Sequence, residues 1–432
     1  MLFFYVLMAV LLMAIVSTAQ VQIQSLSQLL KYADAHAPAA LQTKLQPLVA
    51  KQDVNIQASG LYPKVNAFGT GDYYPIIATQ VIPAEVLGGA PGTYLKAQFG
   101  LPYIFSAGAE LSMPIINLEK WAQLSKAKAA NKQADFGSRS ALENFHIQLV
   151  QAYYQSLITK EVLALNTENA ATSAELMRIM QQRNDNGVVN PSDYNRTKNL
   201  DLDVQSSALN YEKQLQQAEN NLHAMLNVKN DSLALTETLS NFNWPIVQQA
   251  NDPANRPGWQ EADYKLRVAE LSLSESRRGG LPRLSAAGRY AYNMQSKFEA
   301  GKGNVEFNTA NVGVRLDVPL FQGNYYRSLQ HKSKLQLESA KLEQERTRAT
   351  LTQQQQDWYA QYKAAYSKHT LLEDKVATAS DNLRIAKLNI QEGVMEFDEF
   401  NNIFQEYNRA RMEYLQNLPD GILYHLLSTQ NF

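Results

Sequence analysis

The chain has 432 residues, enough for two or three ordinary domains. Its formal net charge of −1 lacks the basic excess expected of a nucleic-acid-binding protein. The sequence contains no cysteine, which excludes disulfides, thiolate metal sites, cysteine nucleophiles and lipid attachment through an N-terminal cysteine.

The N-terminus is apolar from Leu2 to Val16 and continues as Ser17-Thr18-Ala19, a small-residue pattern typical of signal-peptide cleavage. We therefore predict a signal peptide over residues 1–19, with an N-terminal membrane anchor as the alternative. After Gln20, no stretch approaches the ~20 apolar residues of a membrane-spanning helix. If the mature chain crosses a membrane, we expect it to do so with strands.

Three sequence landmarks occur twice in the same order, which indicates a duplicated unit of about 200 residues. The pairs are Pro63-Lys64-Val65-Asn66-Ala67-Phe68-Gly69 with Pro282-Arg283-Leu284-Ser285-Ala286-Ala287-Gly288, Gly108 to Pro114 with Gly313 to Pro319, and Gly187-Val188 with Gly393-Val394. The loop between the first two landmarks is about 14 residues longer in the first copy. We assign residues 20–228 to the first copy, 229–257 to a mixed, non-helical connector and 258–432 to the second copy.

Proline and glycine are absent from long intervals that are rich in strong helix formers. The proline-free intervals run from Pro114 to Pro191 and from Pro319 to Pro419, and the glycine-free intervals from Gly137 to Gly187 and from Gly323 to Gly393. These intervals predict helices of about 65–70 residues, with Gly137 as a weak point in the first. A heptad seam in the second copy indicates coiled-coil packing. Its residues are Leu372, Val376, Ala379, Leu383, Ala386 and Ile390.

Short breaks near 187–191 and 393–398 predict that each long helix turns back as an antiparallel helical hairpin. Gly187 and Gly393 suit the positive φ that a helix end requires.

Between the helices, apolar and polar residues alternate, as in strands near 64–74, 103–114, 283–293 and 309–319. Such alternation is expected of a strand with lipid on one side and water on the other, and equally of a half-buried strand in a soluble protein. Pro63, Pro114, Pro282 and Pro319 are expected at the helix–strand junctions, where a missing N–H donor does least harm.

The paired Pro-x-[Val/Leu]-x-Ala-x-Gly strands, Leu-x-[Met/Val]-Pro-[Ile/Leu] strand ends and Gly-Val helical turns resemble those of the TolC-like outer-membrane efflux channel family. The resemblance covers essentially all of the mature chain. It implies a mixed α+β membrane protein built from a duplicated unit of long coiled-coil helices plus a β-hairpin. Three chains would form a 12-stranded β-barrel in the lipid of the outer membrane, continued by an α-barrel across the periplasm. Independently, four strands in lipid would leave two edges that only partner chains could pair.

The resemblance also implies a passive exit duct of a tripartite efflux or type I secretion system. A periplasmic adaptor (membrane fusion) protein would link it to an inner-membrane transporter. The substrate class, whether drug, metal ion, peptide or protein, stays open because selectivity would belong to the transporter. The alternatives are a periplasmic adaptor, which would show one hairpin and a lipoyl-like β-module, and a structural coiled-coil protein.

In the family, the helical turns form the periplasmic tips, where the adaptor docks and the pore closes. The resemblance therefore implies docking residues at Gly187, Val188, Gly393 and Val394.

The second turn carries three acidic candidates for the entrance gate. Glu399 matches one of two acidic entrance residues of the family, Asn402 stands at the position of the other, and Glu396 and Asp398 are weaker candidates. A helix N-terminus offers a structural alternative, because acids stabilise it and Asp398 suits an N-cap.

Catalytic patterns are weak. Glu143 and His146 have the spacing used in di-iron helical bundles, but the second Glu-x-x-His of such a site is missing. There is no phosphate-binding glycine loop and no plausible nucleophile–base pair. The sequence predicts no enzyme, no cofactor and no metal site.

Overall fold

The computed structural model describes residues 21–228, 233–237, 239, 244–247, 252–299 and 303–429. The predicted signal peptide at 1–19 lies outside the described residues, as do parts of the connector at 229–257. The elements in chain order are β1 (Val21–Ile23), α1 (Leu26–His36), α2 (Pro38–Ser59), β2 (Lys64–Tyr73), β3 (Thr79–Pro83), β4 (Tyr94–Gln98), β5 (Tyr103–Ile116), α3 (Leu118–Asp185), α4 (Pro191–Leu226), β6 (Leu233–Leu235), α5 (Pro257–Arg278), β7 (Arg283–Ser296), β8 (Val305–Asp317), α6 (Tyr325–Glu392) and α7 (Phe397–Thr429).

The chain divides into two compact units, and each contains residues from both sequence copies. The first unit, which is mainly helical, falls within 1–48, 133–263 and 344–432. The second unit contains the main sheet and falls within 49–132 and 264–343. The division into copies at 20–228 and 258–432 stays a sequence-based prediction.

The two longest helices, α3 and α6, each have 68 residues. Gly137 lies inside α3 without ending it, so the weak point predicted there does not break the helix. One glycine costs only about 1 kcal/mol in a helix, which tertiary packing readily offsets. In the described part of the chain, no helix combines the length and the apolar character needed to cross a membrane.

The helical unit has a large core around the fully buried side chains of Leu29, Tyr153 and Leu222. The heptad residues predicted in α6 pack as expected: Leu372, Leu383, Ala386 and Ile390 are buried, and Val376 and Ala379 are partly buried. Burial at alternating steps of three and four residues is what a coiled-coil seam produces.

The sheet unit is built around a four-stranded antiparallel sheet with strand order β2-β5-β7-β8. The central pair joins β5 of the first copy to β7 of the second. Ser106 on β5, for example, donates a hydrogen bond to Asn293 on β7 at 2.7 Å. Strands β2 and β8 form the two edges of this sheet.

The strand register sorts side chains into two faces. Paired residues share a face, and neighbours along a strand alternate between faces. The apolar face carries Val65, Leu111, Val312 and Val314, whereas the polar face carries Asn66, Glu110, Arg289 and Asn311.

The strand bounds differ slightly from the predicted ranges. β5 and β7 extend to Ile116 and Ser296, and β8 covers Val305–Asp317 instead of 309–319. Pro114 was expected at a strand–helix junction but lies inside β5, beside a register shift between Pro114 and Ile116. Because proline cannot donate to a strand ladder, an irregularity of this kind is what allows it inside a strand.

The longer loop of the first copy contains a short antiparallel hairpin made of β3 and β4. A left-handed turn at Gly88 ends the helical turn between these strands. This hairpin accounts for the extra residues between the first two landmarks of the first copy.

Candidate functional site at the helical tips

Both helical turns are built in the same way. Gly187 has φ of 70° and Gly393 has φ of 81°, backbone conformations that glycine adopts without strain. The amide of Val188 donates to the carbonyl of Arg183 at 2.9 Å, and the amide of Val394 donates to that of Asn389 at 3.0 Å. These bonds satisfy carbonyls that a helix end leaves free. The valines are 74 % and 76 % exposed, so both tips present an apolar side chain to their surroundings.

The helices that follow the turns begin differently. In α4, the Asn190 side chain accepts a hydrogen bond from the Ser192 amide at 2.9 Å, and Pro191 occupies the first turn. Helix α7 begins at Phe397, and the Glu396 carbonyl accepts a hydrogen bond from the Phe400 amide at 3.1 Å. Glu396 therefore occupies the N-cap position, and the prediction that Asp398 suits this cap is wrong. The helix starts at Phe397, two residues before the start that an Asp398 N-cap would give, because the Phe397 side chain is buried, at 5 % exposure.

The two hairpins share one hydrophobic cluster, which we call the tip core. Its buried residues are Leu176, Met180, Leu200, Val204, Leu383, Ala386, Ile390, Phe397, Phe400 and Phe404. The rings of Phe400 and Phe404 stack with centroids 6.2 Å apart, and each side chain is 1 % exposed. Burial of each ring stabilises this packing by about 1.5–3 kcal/mol.

Two arginines connect the hairpins. The Arg183 guanidinium donates from Nη2 to the carbonyl oxygens of Ile390 at 2.8 Å and Gln391 at 3.3 Å. A cation at this place also stabilises the C-terminus of α6 through the helix dipole. The second arginine, Arg196 on α4, donates from Nη1 to both carboxylate oxygens of Asp398 at 2.7 and 2.8 Å. Sequence analysis missed both arginines.

The three predicted gate acids lie in different electrostatic settings. The Asp398 charge is offset by Arg196, although both side chains are more than half exposed. Glu396 and Glu399 are exposed, and within the described part of the chain neither carboxylate has an ion-pair partner. Glu399 is therefore an acid of the first turn of α7 whose charge faces solvent in the single chain.

A groove of about 550 Å³ runs beside the tip core, between α3 and α6. Glu168 and Glu175 line one wall, Arg384 and Lys387 the other. Lys387 crosses the groove and donates from Nζ to the Thr172 hydroxyl at 2.9 Å. A hydrogen bond from Arg178 lowers the pKa of Glu175 below its ordinary value.

The Glu143–His146 pair has a different role from that of a metal site. Glu143 forms an ion pair with Arg256, whose Nη2 lies 2.8 Å from Glu143 Oε1. His146 Nε2 lies 2.9 Å from Oδ1 of Asp34. The two side chains thus have separate partners. Among the described residues, no group of three or more His, Asp or Glu side chains could hold a metal ion.

Comparison with known proteins gives consistent matches. The family model of the outer membrane efflux proteins matches residues 28–228 and 250–418. Outer membrane protein TolC of Vibrio cholerae is 22 % identical over 314 residues, which cover 71 % of this chain and 67 % of that protein.

Solved structures share the fold at lower identity. The outer membrane protein VceC of Vibrio cholerae has a TM-score of 0.75 at 12 % identity, over 94 % of this chain and 95 % of that one. The open state of the MtrE outer membrane channel of Neisseria gonorrhoeae has a TM-score of 0.74 at 15 % identity, over 93 % and 88 %.

The family model covers well over half of the chain. The family and the solved relatives are channel proteins and not enzymes. They are outer-membrane proteins with a large helical part in the periplasm, and the resemblance stated from the sequence motifs is confirmed. This chain belongs to the outer membrane efflux protein family.

Proposed function

We propose that this protein is the outer-membrane exit duct of a tripartite efflux or type I secretion system. It would serve as a passive conduit for substrates that an inner-membrane transporter delivers through a periplasmic adaptor. Three chains would close into a 12-stranded barrel continued by an α-barrel. Membership in a channel family argues against both alternatives, a periplasmic adaptor and a structural coiled-coil protein.

The observation that carries this proposal is the pair of open edges on the main sheet. Strands β2 and β8 each have one neighbour in the sheet. In a bilayer, an unpaired strand edge leaves backbone groups without hydrogen bonds, each at a cost of several kcal/mol. If β8 of one chain pairs with β2 of the next chain around the trimer, no strand edge is left unpaired once the ring closes.

The two sheet faces suit lipid and water respectively. On the apolar face, Val312 is 90 % exposed, Val314 72 % and Leu316 63 %, so these side chains are free to contact lipid. The polar face carries Glu110, Arg289 and Asn311, whose charged and amide groups water can solvate. The polar face would therefore line the lumen.

The helices also present surface on which a second chain of the trimer could pack. Along α2, an apolar stripe is 43–63 % exposed in the single chain. Its residues are Leu41, Leu45, Leu48, Val49 and Ile56. Leu41, Leu45 and Leu48 are spaced by four and three residues, and Val49 and Ile56 lie one heptad apart. Such spacings are typical of a coiled-coil seam, which supports closure of the helical part by neighbouring chains.

Two neighbouring residues of β8 test the barrel. Val312→Arg places a charge on the apolar face and should destabilise the inserted trimer by about 2–4 kcal/mol per chain, whereas Asn311→Glu on the polar face, opposite Arg289, should cost little. The fraction of heat-resistant trimer in outer-membrane extracts measures the difference. Equal effects of the two substitutions would contradict the barrel.

We assign adaptor docking to the tips at Gly187, Val188, Gly393 and Val394. Cysteines replacing Val188 or Val394, in a chain without natural cysteine, should crosslink to the adaptor when labelled with benzophenone-4-maleimide and illuminated, a reaction that needs no thiol on the adaptor. Both side chains are exposed, so the substitution should leave the fold intact. Val312→Cys on β8 is the control that should not crosslink. Crosslinks formed from the connector instead of the tips would refute this assignment.

We assign the entrance gate to Glu399, with Glu396 and Asp398 as weaker members. The description of MtrE in an open state supports an entrance that opens and closes in this chain too. A threefold ring of unpaired carboxylates would favour cations over anions. Glu399→Gln should lower cation preference and weaken block by multivalent cations in single-channel recordings, without lowering trimer stability. Unchanged selectivity with a lower melting temperature would show that Glu399 only stabilises the start of α7.

A further inference from the structure

One row of side chains crosses the whole polar face of the main sheet. The register pairs Asn66 with Glu110, Glu110 with Arg289, and Arg289 with Asn311, so the row has one member on each of the four strands. It lies near the middle of β5, β7 and β8, far from the strand ends.

The two charged members of the row form an ion pair. Arg289 Nη1 lies 3.3 Å from Glu110 Oε1, with both side chains nearly half exposed. The guanidinium also lies over the ring of Phe68, with Cζ 4.2 Å from the ring centroid. Aromatic packing of this kind fixes an arginine in place, so its position does not depend on Glu110 alone.

A second ion pair on this face has a different arrangement. Arg315 contacts Asp317 at 3.0 Å, two residues along the same edge strand, at the strand end. The Glu110–Arg289 pair therefore stands out as a cross-strand ion pair at mid-height on the two central strands. Charges at mid-height of a membrane barrel interact over longer distances, because the low dielectric of the surrounding bilayer focuses their field into the water-filled lumen.

We propose that the Glu110–Arg289 pair determines the charge selectivity of the barrel part of the duct. This inference rests on the proposed function, in which the polar face lines the lumen of a trimer. Three copies of the row form a ring in which each carboxylate cancels a neighbouring guanidinium. The ring is neutral, and the barrel passes anionic and cationic solutes alike. Removal of Glu110 leaves a positively charged ring that favours anions, and removal of Arg289 leaves a negatively charged ring that favours cations.

The test measures reversal potentials of purified trimers in planar bilayers under a KCl gradient, with the wild-type pair and every pair variant compared in a Glu399→Gln background so that the acids proposed for the entrance do not set the ratio. Glu110→Gln leaves three uncompensated guanidinium groups and should shift the K⁺/Cl⁻ permeability ratio toward chloride by about twofold or more. Arg289→Gln should shift the ratio toward potassium by a similar factor. The double variant Glu110→Gln/Arg289→Gln, which has a neutral row again, should return to the wild-type ratio.

The outcomes separate this inference from the function on which it rests. Wild-type protein that forms no trimer and conducts no current would refute the proposed duct. Conducting trimers of both single variants with the wild-type ratio would overturn the selectivity role and leave the duct intact. Failure of both single variants to assemble would show that the pair serves the sheet and not the lumen, which also overturns the inference.

Discussion

Replacing Gly108 with alanine is expected to prevent correct assembly of the main sheet. A Cβ at this position would lie 2.0 Å from the carbonyl oxygen of Tyr290 and 2.8 Å from Cα of Ala291, both backbone atoms of the neighbouring strand β7. Backbone cannot rotate away as a side chain can, so β5 and β7 would have to separate. Overpacking of this severity should cost about 3 kcal/mol or more in each chain. Heat-resistant trimer in outer-membrane extracts should fall to a small fraction of the wild-type amount.

Gly288→Ala provides the matched control. This glycine lies on β7 with neighbours on both sides, and a Cβ there would have its nearest contacts at 3.8 Å, an ordinary van der Waals distance. Its trimer yield should equal that of the wild type. Similar yields for the two variants would show that the close approach of β5 and β7 at Gly108 does not constrain the sheet.

Arg256→Ala should strongly destabilise the helical unit. Arg256 is 5 % exposed, and its guanidinium donates to Glu143 at 2.9 Å and to Gln354 at 3.1 Å. The same group lies 4.6 Å from the ring centroid of Trp358. Without Arg256, the Glu143 carboxylate would be left largely buried and unpaired, which costs about 3–5 kcal/mol. Urea unfolding of the detergent-solubilised protein, followed by circular dichroism, measures this loss.

Two variants check the cause. Arg178→Ala removes an exposed ion pair with Glu175, which water and salt screen, and should leave the urea midpoint close to that of the wild type. The double variant Arg256→Met/Glu143→Leu removes both buried charges and should recover most of the stability lost in Arg256→Ala. A double variant as unstable as the single one would mean that packing of the Arg256 side chain on Trp358, and not charge, holds this part of the bundle.

The long helices, strands and turns could be predicted because their signals are local. The heptad residues from Leu372 to Ile390 repeat within one helix, and the glycines at 187 and 393 mark turns by their own backbone preference. The paired sequence motifs, in the same order in both copies, then indicated the family.

The contacts that connect the tips could not be predicted in the same way. Arg196 and Asp398 are 202 residues apart, and Arg183 and Ile390 are 207 residues apart. No periodicity relates a basic residue on one hairpin to an acid or a carbonyl on another, since such pairs depend on how the hairpins pack. The expectation that Asp398 caps α7 was wrong for a related reason, because burial of Phe397 in the shared tip core decides where the helix begins.

The central β5–β7 pair has a consequence for how the protein is made. Ser106 and Asn293, which hydrogen-bond across this pair, are 187 residues apart in the chain. During synthesis and export, β5 emerges long before its partner exists, and the hairpin with β2 leaves its other edge open. Contacts of such long sequence separation form slowly, and an open apolar strand is prone to aggregation during the delay. The main sheet of each chain can therefore form only late, after the second sequence copy, which carries β7 and β8, has been synthesised and exported.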